Sequence, residues 1–180
     1  MRSVLAVFVA SALVVGATSL ARARPFRGRA HDVEVEHSFD ADTPTVIRIV
    51  HRRTRRTGRY DAPPGRWPSV RFVVGDNLVV AWGCGTNCEV TMLLRPDGSE
   101  ITSFEHLDVA PDGEVAASYS PGSPLRSEEA SIVSLRTGRT LVERQGVSAW
   151  NTCGVTWSGR RAYFRRCTRG TRSFALEVPR

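Results

Sequence analysis

The sequence predicts an all-β fold of antiparallel strands arranged as a sandwich, barrel or meander. Three observations lead there: short runs of alternating apolar and polar residues recur, turn residues separate them at close intervals, and few windows have helical period and length. Repeated Pro-Asp-Gly and Thr-Gly turns also suit propeller blades. An incomplete propeller-like arrangement is the second expectation, because a full ring of four-stranded blades needs more chain than residues 24–180 supply.

The chain opens with the three parts of a signal peptide over residues 1–23. Arg2 supplies the positive start, Val4 to Val15 form an apolar core shorter than a membrane span, and Ala21-Arg22-Ala23 is a small-x-small cleavage site. Cleavage after Ala23 leaves residues 24–180 as a single secreted β-rich domain, long enough for one substantial core. Its destination is the periplasm or the outside of the cell. The positive residues are 25 arginines with no lysine, and the chain is rich in Gly, Val and Ala, a habit that fits a GC-rich bacterial genome.

Asp32 to Glu36 alternates with period two as a half-buried strand. After Pro44, Thr45 to Val50 places residues 45, 47 and 49 on one face and 46, 48 and 50 on the other, with Arg48 leaning outward. Thr57-Gly58 suggests a turn, and Pro63-Pro64-Gly65 with Pro68 makes a rigid connection. Val70–Val74 and Leu78–Trp82 form strands about the loop Gly75-Asp76-Asn77. Glu89–Arg95 and Glu100–Phe104 follow, joined by Pro96-Asp97-Gly98-Ser99, and Pro111-Asp112-Gly113 repeats that turn. Pro121 to Pro124 is the most loop-like stretch and the best place for a lid or subdomain junction. Ala130–Leu135 and Arg139–Glu143 then flank Thr137-Gly138, and Val155–Trp157, Arg161–Arg166 and Phe174–Val178 complete the series.

Four cysteines, Cys84, Cys88, Cys153 and Cys167, allow three disulfide connectivities in an exported protein. Pairing by proximity gives Cys84 with Cys88 and Cys153 with Cys167; the second link closes a loop worth about 3 kcal/mol in the chain-entropy model. The alternative joins the first pair to the C-terminal hairpin. Cys-x3-Cys with Cys-x13-Cys lacks the usual zinc knuckle, and flanking strands do not offer the helix N-terminus that activates a redox thiol. No metal or cofactor is expected. The segment Trp82-Gly83-Cys84-Gly85-Thr86-Asn87-Cys88 resembles a glycine-cysteine segment of small exported bacterial proteins of uncharacterised function. That resemblance implies a secreted domain and no activity.

Charge is segregated along the chain. Arg48, Arg52, Arg53, Arg55, Arg56 and Arg59 cluster without an acid, residues 97–129 hold eight acids against Arg126, and residues 144–180 turn basic again. Export disfavours nucleic acid, so Arg52, Arg53, Arg55 and Arg56 are candidate contacts for an anionic envelope glycan, a lipid headgroup or another exported protein, or else a charged edge that discourages strand pairing. Trp82, Trp150 and Trp157 are candidate ligand contacts or core residues, and Trp67 joins them as a possible groove-lining ring. Among His31, His37, His51 and His106, the best acid-base grouping is His106 with Asp108, which share a strand face. There is no Gly-x-Ser-x-Gly elbow, His-Glu-x-x-His helix or phosphate loop. The expectation is therefore an exported, disulfide-stabilised module that binds at the cell envelope; a hydrolase with a non-contiguous site and a purely structural envelope protein are the alternatives.

Overall fold

The computed structural model describes residues 26–37, 42–85, 88–120, 129–145, 152–166 and 173–179. The leader and the loop Pro121 to Pro124 lie outside them. The described strands make four antiparallel sheets, each a meander in which neighbours in space are neighbours in sequence. The first holds β1 (Phe26–Arg27), β2 (His31–Glu36), β3 (Thr45–His51) and β4 (Thr57–Ala62); the second holds β5 (Ser69–Phe72), β6 (Leu78–Gly85), β7 (Cys88–Leu94) and β8 (Glu100–Phe104). The third runs β9 (His106–Val109), β10 (Val115–Ser120), β11 (Glu129–Ser134) and β12 (Thr140–Gln145). The fourth is β13 (Thr152–Ser158), β14 (Arg161–Arg166) and β15 (Phe174–Glu177). None of these sheets closes into a barrel.

Strand alternation explains how the sheets stack. In β6 and β7, Leu78, Val80, Trp82, Met92 and Leu94 face the first sheet and pack on Val33, Ile47 and Ile49. Their sequence neighbours Val79 and Leu93 face the other way, onto Ala116 and Val133 of the third sheet. Ala117 and Ile132, the sequence neighbours of Ala116 and Val133, pack on Ala162, Phe164 and Leu176 of the fourth. The two middle sheets are thus buried on both faces, as successive propeller blades are. Each fully buried aliphatic or aromatic side chain contributes about 1.5–3 kcal/mol. The two end sheets turn charge outward: Glu34, Glu36, Arg48, Arg59 and Asp61 on the first, and Arg161, Tyr163, Arg165 and Glu177 on the fourth, are exposed. Ion pairs Arg48–Glu36 at 3.3 Å and Arg59–Asp61 at 2.8 Å partly neutralise the first face.

The strand pattern departs from the sequence reading at Thr57-Gly58. These residues begin β4 instead of making a turn, and the hairpin bends earlier, at Arg52–Arg56, with Arg55 at φ 58° closing it. Gly58 is needed for close approach: a Cβ there would collide with the Pro96 and Asp97 backbone of the β7–β8 turn. The Pro-Asp-Gly turns form as expected, with Gly98 at φ 87° and Gly113 at φ 71°.

Candidate functional site

The connection between β5 and β6 is a tight turn over Val74–Asp76, closed by the Asn77 amide on Val74 O with Gly75 and Asp76 at left-handed φ, and it ties three sheets together. The Val74 amide donates to Gly113 O at 2.9 Å, in the β9–β10 turn. The Asn77 side-chain amide donates to Leu135 O at 2.9 Å, beside the β11–β12 turn. Asp76 reaches the first sheet. Its Oδ1 accepts the Arg29 amide at 2.7 Å, and its Oδ2 accepts the Ala30 amide at 2.6 Å and lies 2.9 Å from His31 Nδ1.

Asp76 is buried, with only 6% of its surface exposed, and sits at φ 60°. Aspartate tolerates that left-handed backbone better than most residues. Burial on its own would push the carboxyl pKa up, but the hydrogen bonds from His31, Ala30 and Arg29 and the charge of His31 hold it below the ordinary value. The Asp76–His31 pair has the form of a general-base dyad. Its surroundings are those of a fastener: turn amides on one side and, at 4.8 Å, the edge-on His51 ring on the other.

The same turn is held from its other side. Arg52 Nη2 donates to Gly28 O at 2.9 Å and to Arg29 O, and the Arg52 amide donates to Ala30 O at 2.9 Å. Asp32 lies 3.9 Å from the same guanidinium. Arg52 is therefore committed to the Gly28–Ala30 backbone, whereas Arg53, Arg55 and Arg56 stand exposed on the β3–β4 loop.

A cavity of about 400 Å³ opens where the three sheets meet this turn. Phe72, Val73, Val74 and Gly28 line it together with Arg27, Arg29, Arg71 and Arg136. Asp76, Asp112 and Glu114 belong to the same lining. All four arginines are exposed, and among the described residues none makes an ion pair. Planar guanidinium forks match carboxylate, phosphate and sulfate geometry, and a concave wall focuses their field.

The other candidates lie elsewhere. Trp82 is 7% exposed and packs in the first inter-sheet core, 6.4 Å from the Tyr60 ring, so its ring is unavailable to a ligand. Trp157 is half-buried against the last core. Trp150 lies outside the described residues. Trp67 is 62% exposed and stacks on His37 at 5.0 Å. His106 and Asp108 do share one face of β9, with Tyr119 stacked on His106 at 4.8 Å. Burial pushes the Asp108 carboxyl pKa up, against a smaller lowering from the Trp157 indole and Arg71. Trp157 Nε1 is buried there without a hydrogen bond of standard geometry.

Cys84 sits at a bulge in the β6–β7 hairpin, where Gly83 pairs with Glu89 but Gly85 with Cys88, and it is disulfide-bonded. Cys167 and the side chains of Cys88 and Cys153 lie outside the described residues. Among the described residues, no three His, Cys, Asp or Glu side chains are grouped to hold a metal, and no helix is long and apolar enough to cross a membrane. No protein-family model and no curated protein sequence matches the chain.

Proposed function

We propose that the chain is an exported binding module of the cell envelope whose ligand site is the arginine-lined cavity, and that it recognises an anionic group, phosphate, sulfate or carboxylate, carried by an envelope component. One observation carries this reading: four arginines that make no ion pair among the described residues, Arg27, Arg29, Arg71 and Arg136, line one concave space and outnumber its acids Asp76, Asp112 and Glu114. Arg48 and Arg59, by contrast, are paired with acids, and Arg52 is held by backbone carbonyls. Local disulfides, Cys84 with Cys88 and Cys153 with Cys167, fit the oxidising compartment.

Calorimetric titration of the oxidised domain with inorganic phosphate and sulfate tests the site. We expect saturable, salt-sensitive binding, weakened about tenfold or more by Arg71→Gln with Arg136→Gln, since charge-assisted bidentate bonds are lost. Absence of binding by the parent protein contradicts the reading. Vesicles with anionic lipid and a soluble acidic glycan, each competed with phosphate, separate the two sources of the anion.

A further inference from the structure

Resting on that reading, we propose that Asp76, an acid in the wall of a cavity for anions, strengthens anion binding because it positions the arginines of the Gly28–Ala30 turn. Simple electrostatics gives the opposite sign. A carboxylate beside bound phosphate repels it, so neutralising that carboxylate tightens binding by roughly two- to threefold. Asp76 departs from that rule because its charge is already engaged.

The geometry is specific. Both Asp76 oxygens are occupied by the turn that presents Arg29 and follows Arg27, with the Arg29 amide at 2.7 Å and the Ala30 amide at 2.6 Å. Gly28 lies so close beneath that a Cβ on it would stand 2.8 Å from the Phe72 ring and 2.9 Å from Asp76 Oδ1. Arg52 grips the carbonyls of the same turn. The turn is clamped between a carboxylate that takes its N–H groups and a guanidinium that takes its C=O groups, and its Gly28 and Arg29 line the cavity. An asparagine at position 76 sets an NH2 group against the Arg29 or the Ala30 N–H in either amide orientation, so at least one donor is repelled. The backbone that carries Arg29 then loses its fixed placement, and the ordering it requires falls on the binding step.

The test compares Asp76→Asn with Glu114→Gln, which removes a negative charge from the same cavity lining without touching the clamp. Phosphate affinity is measured by calorimetry, and amide hydrogen exchange is followed at Arg29 and Ala30. We expect Glu114→Gln to tighten phosphate binding about twofold, and Asp76→Asn to weaken it about tenfold with loss of protection at both amides. Equal or tighter binding by folded Asp76→Asn overturns the proposal while leaving the cavity reading intact. Failure of the parent protein to bind phosphate overturns both. Should Asp76→Asn not fold, His31→Ala removes one of the three donors and carries the test: weaker binding supports the clamp, and unchanged or tighter binding overturns it.

Discussion

Asp76 combines two features that each carry a penalty, a left-handed φ of 60° and a buried carboxylate. Both are offset by three donors that leave it ionised. Its folded pKa lies below the ordinary value of 3.8, so its contribution to stability is complete above that value and is lost as pH falls through the lower folded one. Urea midpoints should therefore drop from about pH 5 downward in the parent protein, and less steeply in Asp76→Asn; parallel profiles would show that the carboxylate is not linked to folding. This role was not legible in the sequence. Gly75-Asp76-Asn77 reads as a loop, and the partners of Asp76 lie 45 to 47 residues earlier. Trp82 was more legible: it continues the alternation of Leu78 and Val80, which fixes its core-facing side.

At the scale of elements, period two and turn chemistry placed most strands close to where they lie, as Thr45–His51 shows with residues 45, 47 and 49 buried. Gly58 failed because a glycine that admits a neighbouring backbone has the same local signature as one that turns. Strand β1, only two residues long, is too short for any period to announce it. The segment from Trp82 to Gly85 is a strand end broken by a bulge, and the bulge puts Cys84 out of register. Non-reducing peptide mapping should join Cys84 to Cys88 and Cys153 to Cys167; a peptide linking Cys84 to Cys153 or Cys167 would contradict the local pairing.

Across the whole molecule, the order of the sheets follows the order of the chain, and three cores bind them in succession. Consecutive meanders with alternating burial made the class legible. The cavity was not, because Arg27, Arg29, Arg71 and Arg136 are scattered through the sequence and meet only where the ends of three sheets converge. The dense cluster from Arg52 to Arg56 is the stronger local charge signal, yet its first member serves the backbone of the turn. Stacking also explains why one tight turn carries so much: Val74, Asp76 and Asn77 each fasten a different turn, so the site depends on the register of all three sheets. The most direct measurement is a titration of the isotope-labelled, oxidised domain with inorganic phosphate, followed by amide chemical shifts. Saturating shifts centred on Arg29, Phe72, Gly113 and Arg136 are the predicted result; shifts centred on Arg53, Arg55 and Arg56, or none, would contradict an anion site in the cavity.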